Sequence, residues 1–314
     1  MESTNDGDAI IVEAILKNFP DLVDVPRFPT HRRLAKSEAL AAAKCDYLVV
    51  TGTNILNQKI LRDRQWPLGL RELKAYRGRL VLLGVGWRQY QERPGKRTQK
   101  TLNKLLAHQI PVAARDHYTD SKLSELSIDS VNTGCPTTWN LPMSLPPLGS
   151  VDECVFTLTD YNPAWDIDGQ VIYDLAARYK TVHAWPQSDG DLSNLNKMSL
   201  PANFQISRRG IATLDSLLEG RDYIGTRLHA GIRAAQHGRA ILIIAVDNRA
   251  IEIGKDIGLP VVPRQLGPHA IAAAIDERSR QEALIQIPRR QVERWKLELR
   301  SLLRETPDTQ REMK

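Results

Sequence analysis

Asp222-Tyr223-Ile224-Gly225-Thr226-Arg227-Leu228-His229 is the stretch on which the reading of this chain turns. Asp222 to Ile224 is a short apolar strand, Gly225 permits a tight turn, and Leu228, Ile232 and Ala235 then recur at helical spacing. A strand, a turn and a helix in that order form one step of a parallel sheet, where ligands bind outside the carboxyl ends of the strands. Thr226 is a good N-cap. The helical turn behind it carries unpaired N–H groups and the positive end of the helix dipole. Arg227 offers a permanently charged planar fork for carboxylate or phosphate, and His229 can give or take a proton near neutral pH. Read alone, His229 fits equally a histidine that only caps or hydrogen-bonds its own helix.

The same alternation extends both ways. Short apolar runs at Tyr47 to Thr51, Leu80 to Val85, Pro111 to Ala114 and Ile128 to Asn132 are separated by helical stretches. A second series runs through Val155 to Thr159, Thr181 to Trp185, Phe204 to Ser207, Asp222 to Ile224, Ala240 to Val246 and Pro260 to Val262. Between them Pro142, Pro146, Pro147 and Gly149 interrupt any regular element. The fold class expected is therefore α/β, with two doubly wound Rossmann-like domains facing a cleft. Their bounds are 1–140 and 151–280, with a Pro-rich linker at 141–150 and a C-terminal helix at 281–314 that can cross back to the first domain.

Composition narrows the function classes. At 314 residues the chain has room for two ordinary cores. Its three cysteines, Cys45, Cys135 and Cys154, show no C-x-x-C spacing, and the histidines form no ligand pattern, so neither a metal nor a disulfide framework is expected and a reducing cytoplasm is the natural setting. No apolar run reaches the roughly 20 residues of a membrane span. The net charge of +6 fits nucleic acid, an anionic membrane surface or an anionic substrate. Its densest cluster, Pro288 to Lys296, reads as a solvated helix face, with a contact on the inner face of the membrane as the alternative.

Two further junctions can carry chemistry. Arg115-Asp116 follows the strand at Pro111 to Ala114, with Asp116 as N-cap of a helix over Tyr118 to Leu126. Arg115 can reach an anion there, or form a structural bridge to a nearby carboxylate. Asn5-Asp6-Gly7-Asp8 leads into an apolar helix, where Asp6 or Asp8 suffices as a cap. Weaker still, Trp185 to Asp191 mixes an aromatic with carboxylates such as Asp189, a combination that suits sugar hydroxyls. Gly84-Val85-Gly86 and Gly52-Thr53-Asn54 match no nucleotide fingerprint.

Taken in order, these segments resemble the polysaccharide pyruvyl transferase family. Asn5-Asp6-Gly7-Asp8-Ala9-Ile10 is similar to its N-terminal N-x-G-D-x-A turn, Arg115-Asp116 to its R-D element, and Asp222 through Ala230 to its D-x-x-x-G-x-R-L-H-A signature. Ala245 to Arg249 is similar to its Y-D-x-K turn, with Asn248-Arg249 where relatives carry a lysine. Only Met1 to Thr4 precede the first turn, where the family has a short apolar strand, and Gly52-Thr53-Asn54 is a reduced form of its glycine-rich turn.

The resemblance implies a GT-B-like pair of domains and transfer of an enolpyruvyl unit from phosphoenolpyruvate to a nucleotide-linked or lipid-linked sugar, as a ketal in polysaccharide biosynthesis. It implies no cofactor beyond that donor substrate. It makes His229 the general acid and Arg227 and Arg115 the holders of donor charge, with Gly225, Thr226, Asn5, Gly7, Asp8 and Asp189 as further binding residues. The rival readings are a GT-B glycosyltransferase with a nucleotide-sugar donor and a non-catalytic sugar-binding protein. Nucleic-acid binding ranks last, because aromatics make up only 6% of the chain.

Overall fold

A computed structural model describes residues 5–62 and 64–304. Met1 to Thr4, where the family's first strand would begin, lie outside the described residues, as do residues 305–314 of the expected C-terminal helix.

In chain order, α1 (Asp6–Asn18) and α2 (Lys36–Ala42) precede β1 (Leu48–Thr51). Then come α3 (Leu70–Ala75), β2 (Leu80–Val85), α4 (Lys96–Leu105), β3 (Val112–Ala114), α5 (His117–Ser124) and β4 (Ser130–Asn132). The middle of the chain forms β5 (Ser144–Leu145), β6 (Glu153–Thr157), α6 (Trp165–Arg178), β7 (Thr181–Ala184), α7 (Asp189–Leu195), β8 (Phe204–Ile206) and α8 (Ile211–Leu218). The remainder runs β9 (Asp222–Gly225), α9 (Leu228–Gln236), β10 (Ile241–Ala245), α10 (Asn248–Ile257), β11 (Val261–Pro263), α11 (Pro268–Arg278), β12 (Ala283–Leu284) and α12 (Arg289–Arg304).

These elements gather into two compact units, each discontinuous in sequence. One joins Met1–Lys17 to Thr137–Ile287, and the other joins Asn18–Pro136 to Pro288–Lys314. The first helix thus groups with the later residues and the last helix with the earlier ones. The proline-rich 141–150 stretch is not a bare linker, because β5 within it pairs antiparallel with β12 and buries Leu145.

The first unit holds a six-stranded parallel sheet in the order β11-β10-β9-β6-β7-β8. Counted from β6, that is the 3-2-1-4-5-6 order of a Rossmann sheet, and the strand order reverses between β6 and β9. Both faces are covered, so β10 reads Ile-Leu-Ile-Ile-Ala and is buried at every position. Phe156, Val182, Ile224, Leu242 and Val262 meet Ile172, Leu175 and Ile275 in its core.

The second unit holds four parallel strands in the order β1-β2-β3-β4. Its core joins Leu80, Leu82, Val85 and Val112 to Trp66, Trp87, Leu102 and Leu123. α12 is fixed to it by Trp295, which is 1% exposed, donates from Nε1 to Pro111 O at 2.8 Å and meets the Phe19 ring edge-on at 6.5 Å. Trp295→Ala removes a fully buried indole and its hydrogen bond, and is expected to cost about 3–5 kcal/mol. Urea denaturation measures this; a loss below about 1 kcal/mol would mean that α12 is not anchored through that residue.

Candidate functional site

The point where the sheet order reverses is where a parallel sheet opens a crevice, and the segment read first in the sequence lies there. Gly225 closes β9 opposite Thr157 of β6. A Cβ at position 225 would lie 2.3 Å from Thr157 Oγ1 and 2.6 Å from its backbone N, so only glycine fits. Thr226 N donates to Thr157 O at 2.9 Å and its hydroxyl to the same oxygen at 3.3 Å. Thr226 is therefore not the N-cap expected from the sequence, because its side chain turns back to the sheet. Arg227 takes the N-cap position, with extended backbone and no capping side chain. Tyr223 OH donates to Arg227 O at 2.7 Å, and Arg227 N donates to Thr157 Oγ1 at 3.2 Å, which pins the start of α9 to two strands.

The Arg227 side chain differs from the open fork expected. It is 3% exposed, and its Nε donates to Asp191 Oδ2 at 2.9 Å, while Nη2 reaches Asp191 Oδ1, Asp160 Oδ1 at 2.9 Å and Ser188 Oγ at 3.3 Å. Burial opposes the charge, but the hydrogen bonds and field of Asp191 outweigh it and raise the pKa. The guanidinium also lies over the Tyr161 ring at 5.2 Å, as does that of Arg249 at 5.8 Å. Arg249 in turn donates to Asp247 and, at 2.6 Å, to Tyr161 OH. Burial works against this second charge too, yet Asp247, Tyr161 and Asp8 together raise its pKa. Two guanidiniums against Asp160, Asp191 and Asp247 leave no surplus positive charge in the cluster.

His229, the second residue of α9, is partly exposed, whereas Leu228 and Ala230 on either side are buried. Arg233, one turn on, forms a two-pronged pair with Asp215 at 2.7 and 2.8 Å and also reaches Glu13 at 2.8 Å. The helix thus begins with one partly exposed imidazole at the reversal of the sheet and continues with a cation already committed to structure.

The N-terminal turn docks on the loop after β7. Asn5 pairs with Ser188 as an antiparallel bridge, and its Oδ1 accepts from Gly7 N at 2.9 Å and Gln187 Nε2 at 2.8 Å. Asn5 therefore caps α1, where Asp6 or Asp8 was expected. A Cβ at Gly7 would lie 2.6 Å from Gln187 Nε2, so a side chain there has to displace the amide that binds Asn5. Asp6 accepts from Gly210 N at 3.1 Å, and Asp8 is partly exposed. Asp189 is on the surface in a 2.5 Å pair with Arg209, and Trp185 is fully buried, so that tryptophan does not present its ring to a sugar. Thr159 Oγ1, in the loop after β6, and Gln187 Oε1, in the loop after β7, are buried with no hydrogen-bond partner.

Arg115 belongs to the other compact unit. It is 3% exposed and pairs with Asp116 at 2.8 and 3.0 Å, and Asp116 Oδ1 caps α5 by accepting from Thr119 N at 2.7 Å. The bridge to a nearby carboxylate, one of its two readings, is present. Asn54, from the reduced glycine turn, accepts weakly from Arg115 Nη1 at 3.5 Å.

Sequence reasoning missed Asp160 and Tyr161 altogether, and passed over Asp191 and Ser188 in favour of Asp189. Their signal was positional, since each follows a strand end, and Asp160 follows the first strand of the Rossmann order.

Comparison with solved structures finds distant likenesses. The Methanocaldococcus jannaschii UDP-GlcNAc 2-epimerase, solved with UDP-GlcNAc and UDP, is 11% identical over 92% of this chain and 88% of its own, with a TM-score of 0.52. S. aureus MnaA, solved with UDP, is 10% identical over 85% of this chain and 76% of its own, at a TM-score of 0.48. No curated protein matches the chain. The fold is thus that of the GT-B class, built from Rossmann-like α/β units. Within that class the chain belongs to the polysaccharide pyruvyl transferase family, whose model matches residues 5–248. No helix among the described residues is long and apolar enough to cross a membrane.

Proposed function

We propose that this chain transfers the enolpyruvyl unit of phosphoenolpyruvate to two hydroxyls of a nucleotide-linked or lipid-linked sugar, releasing phosphate and leaving a cyclic pyruvate ketal. His229 protonates the methylene carbon, which makes the neighbouring carbon cationic. One sugar hydroxyl adds to that carbon and loses its proton, phosphate departs, and the second hydroxyl closes the ring. Donor plus diol equals ketal plus hydrogen phosphate, with no oxidant or reductant. The N–H groups at the start of α9 contribute partial positive charge toward the donor. Arg227 has the part of a strut that sets the loops after β6, β7 and β9, and Arg115 with Asp116 sets the start of α5.

The reading rests on the family match together with one observation: a partly exposed imidazole in the first turn of α9, at the reversal of the sheet. The test incubates the protein with phosphoenolpyruvate and a panel of nucleotide-linked and lipid-linked sugars, following phosphate release and pyruvate adducts by mass spectrometry. His229→Ala should lower turnover by roughly 100-fold or more with an unchanged urea midpoint, since a positioned acid contributes about that much. Parental turnover in that variant removes His229 from the chemistry. Consumption of a nucleotide sugar with no use of phosphoenolpyruvate supports the glycosyltransferase reading instead.

A further inference from the structure

The net +6 of the chain conceals two unlike parts. Counted over the sequence, the unit of Asn18–Pro136 and Pro288–Lys314 has 28 Lys and Arg against 16 Asp and Glu, a net of +12. The unit of Met1–Lys17 and Thr137–Ile287 has 15 against 21, a net of −6, and the two add to +6. Such an asymmetry gives the unit of Asn18–Pro136 and Pro288–Lys314 the field of a protein that meets a polyanion.

Within that unit α12 shows where the field is presented. Val292, Trp295, Leu299 and Leu302 form its buried stripe. Directly opposite, at i, i+4, i+7, i+11 and i+14, stand Arg290, Arg294, Leu297, Ser301 and Arg304, all exposed. Arg294 is 84% exposed, and its pair with Glu298 at 2.9 Å is a surface contact that water competes with readily. Leu297, 64% exposed, sits in the middle of this row of arginines.

We propose that this stripe of α12 rests on an anionic lipid surface, with the arginines on headgroup phosphates and Leu297 at the headgroup–acyl boundary. An aliphatic side chain between cations suits that boundary. Single-stranded nucleic acid is gripped by stacking on exposed rings, and the aromatic residue of this helix, Trp295, is 1% exposed. The association is independent of donor chemistry, so its test needs no substrate.

Full-length protein is sedimented with phosphatidylcholine vesicles and with vesicles mixed with phosphatidylglycerol. Binding to the mixed vesicles alone is expected, weakening as salt shortens the range of the field. Each basic residue at such a surface is worth about fivefold in binding, so Arg290→Glu with Arg294→Glu should weaken it by roughly 20-fold or more. Leu297→Ser should weaken it further without changing the salt dependence. All three side chains are exposed, so urea midpoints should match the parent and report intact folding. Equal binding to neutral vesicles, unaffected binding by the variants, no binding at low salt, stronger retention on nucleic acid than on vesicles, or salt-dependent self-association in place of vesicle binding would each overturn the proposal.

Discussion

Asp191→Ala is expected to destabilise the protein by about 3–5 kcal/mol, the usual cost of removing one partner of a buried ion pair. Asp191 is fully buried, holds Arg227 through two oxygens and also accepts from Gln187 N at 3.0 Å. Truncation leaves a charged guanidinium at 3% exposure with only an exposed Asp160 and the buried Ser188 hydroxyl to satisfy it. The double substitution Asp191→Leu with Arg227→Met removes both charges and should cost less than Asp191→Ala alone, because a buried pair replaced by apolar side chains of similar volume is often neutral. Arg227→Lys keeps the charge but loses the fork, and one ammonium cannot span Asp191, Asp160 and Ser188 at once. Urea unfolding of the set decides. If Asp191→Ala unfolds within about 1 kcal/mol of the parent, Arg227 is not the strut described and its fork is free for a ligand.

Gly225→Ala is expected to cost about 3 kcal/mol or more, at the upper end for overpacked cores. The added methyl would meet the N and O of Thr157 at 2.6 and 2.8 Å, atoms of a central strand that cannot turn away as a flexible side chain could. Relief requires β6 and β9 to part at the reversal of the sheet, which also displaces Arg227 N from Thr157 Oγ1. Soluble yield and the urea midpoint measure the effect, and a variant as stable as the parent would show that the strand ends have slack there.

What could be read from sequence was local. Gly225 between an apolar run and a helical period implies strand, turn and helix whatever surrounds it, and Asp116 is the N-cap that its position before α5 suggests. The boundary at α9 slipped by one residue, because Thr226 found a better acceptor in a neighbouring strand than at its own helix. The partners of Arg227 were not legible, since Asp191, Ser188 and Asp160 lie 36, 39 and 67 residues away and no periodicity links a side chain to a loop across a sheet. The place of α1 was hidden for the same reason. Its Asn5 reaches Gln187, 182 residues on.

That distance also orders events at the ribosome. α1 is made well before its partners, which begin at Thr137, about 120 residues later, so at 5–20 residues per second it waits on the order of ten seconds. Throughout that interval the later residues that help bury Ile10, Ile11 and Ile15 in the finished molecule have not yet been made. The helix is therefore a natural client for a holding chaperone during translation, since its apolar face is covered only by residues made much later.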